Sequence, residues 1–217
     1  MDLPKAVEIV LRKIMDVDGK AYLVGGALRD WMLEKPIMDY DIASSLLPDQ
    51  IEEIFSTEHT WPSGKRFGTI TVKIDDAAVE ITTFRKESDY SDSRHPDQVA
   101  FVSDIYQDLA RRDFTMNAMA YNPYDSPELI DPFSGREDLQ NRIIRAVGDP
   151  LERFTEDPLR IMRGIRFSAQ LDFTIQETTK MAMKRCCPLL QKVSAERLRS
   201  ELDSLLLSLH PDKGLLL

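Results

Sequence analysis

The stretch AYLVGGALRDWMLEKPIMDYDIASS, residues 21–45, contains the clearest indication of the fold in this sequence. A short apolar run ends at Gly25 and Gly26, helical periodicity resumes in ALRDWMLE, and IMDYDIA then alternates with a period of two. This order predicts a strand, a glycine turn, a helix and a second strand. Because side chains alternate along a strand, we expect Asp39 and Asp41 on one face, opposite the apolar side chains around them.

Two carboxylates on one side of an apolar strand suggest a metal site. The Cα atoms of Asp39 and Asp41 are expected about 6.6 Å apart, at about 3.3 Å per residue. Carboxylates at this spacing can hold one divalent ion, or two ions about 3.5–4 Å apart, as in displacement reactions at phosphorus. Glu80 interrupts the apolar strand VEI and would complete a three-carboxylate set beside them. The alternative is a solvated edge strand whose charges discourage aggregation.

The glycine pair favours the metal interpretation. Gly25 and Gly26 allow backbone N–H groups to approach a ligand closely, and a helix beginning there favours phosphate. Arg29, one helical turn later, would add positive charge. An ordinary turn is the alternative, but a phosphate site shortly before an acidic metal pair is much less common than a turn alone.

The segment IYQDLARRDFTMNAMAY, residues 105–121, is predicted to be helical. Asp113 and Asn117 would then be neighbours on one helical face, next to Arg112. These side chains suit a ribose hydroxyl and phosphates. An exposed helix face with a local ion pair is the alternative.

The segment EDPLRIMR, residues 156–163, predicts a base-reading surface. Asp157, Arg160 and Arg163 recur every three residues, and Pro158 suits a first helical turn. Adenine and cytosine pair an amine donor with a ring-nitrogen acceptor on their Watson–Crick edge. An aspartate that accepts and an arginine that donates match these bases and mismatch guanine and uracil. Each buried polar group left unpaired costs about 1–3 kcal/mol. The alternative is an ordinary salt bridge.

Charge is distributed unevenly along the 217 residues. The formal net charge of −9 argues against a nucleic-acid partner, but the acidic excess lies wholly in the first 110 residues. From 111 to 170 all nine basic residues are arginine, which favours bidentate contacts with phosphate, carboxylate or base edges. Arginine used for surface pairing is the alternative.

Organisation along the chain predicts two domains. Residues 4–16 and 47–55 have helical patterns, GTITVKI and AAVEITTF predict paired strands, and 85–104 is predicted to be a mobile loop. After Pro150 the strand signals end and helical patterns follow, which places a boundary near 146. No apolar run reaches the roughly 20 residues of a membrane span. Adjacent Cys186 and Cys187 are badly placed to close a disulfide loop, and we expect a soluble, cytoplasmic protein.

Together these segments resemble the class II tRNA nucleotidyltransferases, or CCA-adding enzymes, and their relatives the bacterial poly(A) polymerases. LVGGALRD with DYDIA resembles the first motif of that family, and RRDFTMNAMAYNP resembles the second. EDPLRIMRGIRF is similar to the nucleotide-selecting motif, and SAERLRSEL to the helix that braces it. RKESDYSDSRHPDQVAF resembles the family's flexible loop, and the resemblance covers nearly the whole chain.

The resemblance implies an α+β fold. A head domain, residues 1–145, would contain a polymerase-beta-like mixed sheet with flanking helices, and an all-helical neck would occupy 146–217. The body and tail regions of the family, which grip tRNA, are expected to be absent from this chain.

The resemblance also implies roles for the candidate residues. Asp39 and Asp41 would hold two magnesium ions, and the place of Glu80 in its strand suggests a third ligand. Gly25, Gly26 and Arg29 would bind the triphosphate. Arg112, Asp113 and Asn117 would bind ribose and phosphate. Asp157 and Arg160 would bind the base, with Arg163 beside them.

The implied activity is addition of CCA to the 3′ end of tRNA from CTP and ATP by a two-metal mechanism. The partners would be the tRNA 3′ end and the two nucleotides, with no membrane. Poly(A) synthesis or addition of the terminal A alone is one alternative. A non-catalytic module that binds nucleotide or RNA is an alternative of another class.

Overall fold

The computed structural model describes residues 3–37, 39–88 and 98–217. The chain divides into two compact units. The sheet unit draws on residues 1–86, 99–111 and 117–132, and the helical unit on 87–98, 112–116 and 133–217. The predicted division into 1–145 and 146–217 stays a prediction. Within the described ranges, no helix is both long and apolar enough to cross a bilayer.

The sheet unit contains short helices around a seven-stranded sheet. Its helices are α1 (Lys5–Met15), α2 (Gly25–Met32), α3 (Pro48–Ile54) and α4 (Ile105–Ala110). The strands along this part of the chain are β1 (Ala21–Val24), β2 (Tyr40–Ser44), β3 (His59–Trp61), β4 (Thr69–Ile74), β5 (Ala77–Thr83), β6 (Arg85–Ser88), β7 (Gln98–Phe101), β8 (Ala120–Tyr121) and β9 (Leu129–Ile130). Strands β6 and β7 form a separate two-stranded sheet.

The large sheet is mixed, as the sequence predicts. Its strand order is β3-β4-β5-β2-β1-β8-β9. Strand β2 runs parallel to β5, and the other neighbouring strands pair antiparallel. After β1 the chain passes through α2 and returns to the sheet as β2, which pairs antiparallel with β1.

One face of this sheet is apolar because the strands alternate. Ile70 and Val72 of β4 are fully buried, as are Val79 and Ile81 of β5. Helices α1 and α3 contact these central strands and cover their apolar face. The buried side of α1 carries the predicted helical pattern, which confirms that prediction. The opposite face of the central strands is left open.

The helical unit is mostly helical after Pro150, and the strand there, β11 (Thr174–Ile175), was not predicted. Its helices pack mainly on one another, with α7 against α9 and α6 against α8. The elements are α5 (Gly135–Gln140), β10 (Ile143–Ile144), α6 (Pro150–Glu156), α7 (Leu159–Leu171), β11 (Thr174–Ile175), α8 (Glu177–Cys186), α9 (Ala195–Leu206) and α10 (Pro211–Leu215). Strands β10 and β11 pair in parallel.

Residues 105–121 differ from the predicted continuous helix. Helix α4 covers only the first six residues of the segment. Further along, Phe114 forms an antiparallel bridge with Ala146, and the Thr115 N–H donates to the Arg145 carbonyl at 2.9 Å. Pairing with this distant segment occupies backbone groups that a continuous helix would use, so the prediction is wrong here.

The predicted loop over 85–104 is wrong at both of its ends. Strands β6 and β7 lie there, where apolar periodicity is too weak to reveal strands in the sequence. Residues 89–97, the middle of the segment, lie outside the described residues.

Replacing Phe114 with alanine is expected to lower the free energy of unfolding by about 3–5 kcal/mol, because a fully buried ring is lost and a cavity remains. The ring meets Phe167 edge to face, with centroids 5.9 Å apart. Urea unfolding monitored by circular dichroism measures the change. Phe101→Ala is the matched control, and its 41% exposed ring should cost about 1 kcal/mol or less. Equal losses would contradict this view of the core.

Candidate active site

The carboxylates of Asp41 and Glu80 lie opposite each other on the open face of the sheet. These residues are register partners in the parallel β2 and β5 pair. Asp41 is half-buried and Glu80 is exposed, whereas the residues that follow them, Ile42 and Ile81, are buried. Asp39 lies one residue before β2 and is exposed. The structure therefore places the predicted pair and the third carboxylate at adjacent strands.

The chemistry of these donors fits magnesium, which prefers carboxylate oxygens. Two of the three groups are open to solvent and the third is partly open, so an ion can reach them. Within the described part of the chain, however, no three carboxylate, imidazole or thiol groups already converge tightly enough to hold a metal ion. The three-carboxylate ligand set stays a prediction.

The glycine pair begins helix α2 directly after β1. Gly25 has a φ of +65°, in the left-handed region that favours glycine. The Arg29 guanidinium curls back towards Gly26, and its Nη2 lies 3.6 Å from where a Cβ of residue 26 would be. This arrangement provides helix N–H groups and a cation at one point of the sheet unit.

Arg29 is buried and held by two neighbours. Its Nε and Nη2 donate to the Asp30 carboxylate at 2.8 and 2.9 Å, and its Nη1 donates to Asn117 Oδ1 at 3.1 Å. Asn117 thus fixes the orientation of the Arg29 guanidinium, which is predicted to bind the triphosphate. The contact between them was not anticipated.

Asp113 and Asn117 do not share a helical face, so that prediction is wrong. Asp113 belongs to the helical unit together with Arg112, and Asn117 belongs to the sheet unit. The physical reason is the backbone pairing of residues 113–115 with 145–147, in which the Asp113 carbonyl accepts from the Val147 N–H at 3.1 Å. Arg112 is half-buried.

In the helical unit, Asp113 forms an ion pair with Arg163 of α7. The Arg163 Nε and Nη2 donate to Asp113 Oδ2 at 2.8 and 2.7 Å. The charge of Asp113 is the largest of the effects that raise the pKa of Arg163 above its usual value. The second carboxylate oxygen of Asp113 accepts from the Phe114 N–H at 2.8 Å. Asp113 is therefore fixed at both of its oxygens.

The base-reading candidates have different surroundings. Asp157 does not share a helical side with Arg160 and Arg163 as predicted, because its backbone is extended (φ −135°, ψ 99°) between the end of α6 and the start of α7. Its carboxylate accepts from the Leu159 N–H at 3.0 Å. Arg160 is buried and lies inside α7.

Three charged residues that sequence reasoning did not assign hold these candidates. Arg197 of α9 donates to Asp157 at 2.9 Å, and Glu156 accepts from Arg160 at 2.8 Å. Glu201 of α9 lies 4.0 Å from the candidate Arg163 and also pairs with Arg166 at 2.6 Å. Arg197 and Glu201 lie four residues apart and so share one face of α9, and this spacing is the signal in the sequence that could have identified them. These contacts agree with the bracing role that the resemblance implied for this helix.

Comparisons with known proteins match both parts of the chain. A family model described as "Poly A polymerase head domain" matches residues 21–145. A second, described as "Probable RNA and SrmB- binding site of polymerase A", matches residues 172–217.

Curated relatives are similar over almost the whole chain. A CCA-adding enzyme of Enterococcus faecalis is 49% identical over 206 residues, which cover 95% of this chain and 50% of the relative. A CCA-adding enzyme of Streptococcus gordonii is 49% identical, with 95% of this chain and 51% of the relative covered. The chain thus spans about half the length of the curated relatives it matches.

Solved structures are also similar over almost the whole of this chain. The crystal structure of the Bacillus stearothermophilus CCA-adding enzyme in complex with CTP superimposes with a TM-score of 0.88 at 38% identity, covering 98% of this chain and 51% of that one. A tRNA nucleotidyltransferase complexed with a primer tRNA and an incoming ATP analogue gives 0.79 at 31%, covering 95% and 58%. The fold expected from the sequence is confirmed.

A double-mutant cycle should reveal strong coupling between Asp113 and Arg163. Asp113→Asn and Arg163→Gln are expected to couple by at least about 1 kcal/mol in urea unfolding, because the pair is charged and partly buried, and two Arg163 nitrogens donate to one oxygen of Asp113. The matched cycle uses Arg199 and Asp203, whose side chains are 82% and 58% exposed and should couple by less than about 0.5 kcal/mol. Additive effects at the first pair would contradict the proposed fixation of Asp113.

Proposed function

The chain belongs to the Poly A polymerase head domain family, and we propose that it carries the nucleotide-transferring site for the addition of C, C and A to tRNA 3′ ends. The observation that carries the proposal is the register of Asp41 with Glu80 on the open face of the sheet. The similarity to enzymes named for CCA addition supports the choice of reaction. The tRNA, CTP and ATP are the proposed partners and substrates.

The sheet unit binds the triphosphate and the metal ions in this proposal. Asp39 and Asp41 would hold magnesium, with Glu80 as a third ligand. Bound magnesium supplies charge neutralisation at the phosphates and lowers the pKa of a coordinated hydroxyl. The N–H groups after Gly25 and the Arg29 guanidinium bind the phosphates, and a phosphate must compete with Asp30 for this cation.

The helical unit contributes the groups that orient ribose and select the base. Arg163 fixes Asp113, which accepts a ribose hydroxyl, while Arg112 contacts phosphate. Asp157 and Arg160 present an acceptor and a donor to the base. Because Arg197 and Glu156 each hold one of these side chains, selection requires little side-chain reordering when the nucleotide binds.

Poly(A) synthesis is the second candidate, since the matching family model is named for poly(A) polymerase. One assay separates the candidates. The protein is incubated with magnesium, single NTPs, and tRNA that lacks none, one, two or all three of its terminal nucleotides. Ordered addition of C and then A is expected. Long A tails or addition of A alone would support the second candidate, and ATP binding without transfer would support a non-catalytic module.

Replacing Asp41 with alanine should abolish transfer in this assay, because the half-buried carboxylate at the entrance to β2 is lost. Asp76→Ala, which removes an exposed carboxylate in the turn between β4 and β5, is the matched control and should transfer normally. Thermal unfolding of both variants verifies that the fold is retained. Normal incorporation by the Asp41 variant would remove the metal assignment.

Replacing Asp157 or Arg160 with alanine should weaken discrimination among the four NTPs while some transfer persists. Loss of one correctly paired polar group removes about 1–3 kcal/mol of discrimination, or about 5- to 150-fold in relative kcat/KM. Competition between NTPs in single-nucleotide addition measures the ratio. Arg199→Ala, on the exposed side of α9, serves as the control. Unchanged discrimination in both site variants would refute the base-reading role.

A further inference from the structure

The open face that carries the carboxylates continues to the edge of the sheet. Trp61 of the edge strand β3 is the register partner of Thr71, and Thr71 is the register partner of Glu80. Glu80 in turn pairs with Asp41. Register partners on neighbouring strands point to the same face, so one row of side chains runs from the carboxylates to the edge.

A side-chain contact verifies which residues share this face. The hydroxyls of Thr69 and Thr82, two residues before Thr71 and two residues after Glu80, are 2.9 Å apart. Residues with this spacing lie on the same face as Thr71 and Glu80. Lys73, two residues after Thr71, is exposed on that face and is the register partner of His59.

The edge of this face carries an exposed aromatic pair. The rings of His59 and Trp61 meet edge to face, with centroids 4.4 Å apart and planes at 79°. Trp61 is 40% exposed and His59 is also exposed. Lys73 places a cation in the neighbouring row. We name this group, His59, Trp61 and Lys73, the edge platform.

We propose that the edge platform binds single-stranded RNA just upstream of the reacting 3′ end, with a base stacked on Trp61 and a phosphate contacted by Lys73. An exposed aromatic ring beside a cation is the chemistry that binds unpaired bases irrespective of sequence. The inference rests on the proposed function because the carboxylates define where the 3′ end lies.

The dimensions agree with this assignment. Three strand spacings of about 4.8 Å separate β3 from β2, or about 14 Å in total. Stacked nucleotides rise about 3.4 Å each, so a base on Trp61 lies about four nucleotides or fewer from a 3′ end at Asp41. A peptide added to the edge is disfavoured, since β3 contains only three residues and is a short template for pairing.

Fluorescence tests the platform without requiring transfer. The protein contains two tryptophans, and Trp31→Phe leaves Trp61 as the only tryptophan, excited selectively over tyrosine at the red edge of its absorption, while keeping a ring against Tyr121. Titration of this variant with a short single-stranded RNA ending in CC, without NTPs, is expected to quench its emission with saturation. The same RNA in a blunt duplex should quench much less. Unchanged Trp61 emission with single-stranded RNA would overturn the proposal.

Substitutions in the otherwise unchanged full chain supply the second readout, the RNA dissociation constant from fluorescence anisotropy of labelled RNA. Trp61→Ala should raise it about 5- to 150-fold, and Trp61→Phe by about threefold or less. Tyr106→Ala, which removes another exposed aromatic ring, is the matched control and should leave it unchanged. Lys73→Gln should reduce the slope of the logarithm of the dissociation constant against the logarithm of the salt concentration by about 1, because one phosphate contact is lost.

The outcomes separate this inference from the proposed function. If the assay shows no transfer but RNA quenches Trp61 and Trp61→Ala weakens binding, the RNA site stands and the enzyme proposal falls. If transfer occurs while Trp61→Ala and Tyr106→Ala bind RNA equally well, the edge platform is refuted and the enzyme proposal survives. Thermal unfolding of each variant excludes loss of fold as the cause.

Discussion

The register of β2 against β5 is the constraint on which the proposed chemistry depends. It buries Ile42 against Ile81 on one face and sets Asp41 opposite Glu80 on the other. A slip of β2 by one residue would turn Asp41 towards the apolar core and Ile42 towards solvent, so the core strongly favours the observed pairing. The same burial that stabilises the sheet therefore presents two carboxylates at adjacent strands, where divalent ions can compensate their repulsion.

The helical unit uses charge differently. Its candidate residues are held by ion pairs and hydrogen bonds, Asp113 by Arg163 and Asp157 by Arg197. Separating a partly buried ion pair costs free energy because each charge is left without its partner, so the side chains are restricted to few orientations. Arginine suits this use because its planar group can bind one carboxylate through two nitrogens. Selection among bases by fixed donors and acceptors requires this kind of rigidity.

Much of the fold could be predicted because burial follows local periodicity. The alternation in residues 69–83 and the helical pattern of α1 each report which side faces the core. The bridge between Phe114 and Ala146 could not be predicted, because pairing between distant segments leaves no periodic signal. The same limit applies to Arg197, which meets Asp157 from 40 positions along the chain. The spacing of residues within each motif identified the candidate residues, but their ion-pair partners became known only from the tertiary structure.

Binding of manganese(II), which takes oxygen ligands as magnesium does, reports whether the carboxylates at the start of β2 form a metal site. Electron paramagnetic resonance measures free and bound ion during titration of the protein in the presence of CTP. Protein-dependent binding is expected to be lost when Asp39 and Asp41 are both replaced by asparagine, and to be retained when Asp75 and Asp76 are replaced in the same way. Equal manganese binding by these two double variants would contradict the claim that the carboxylates at the start of β2 form the metal site.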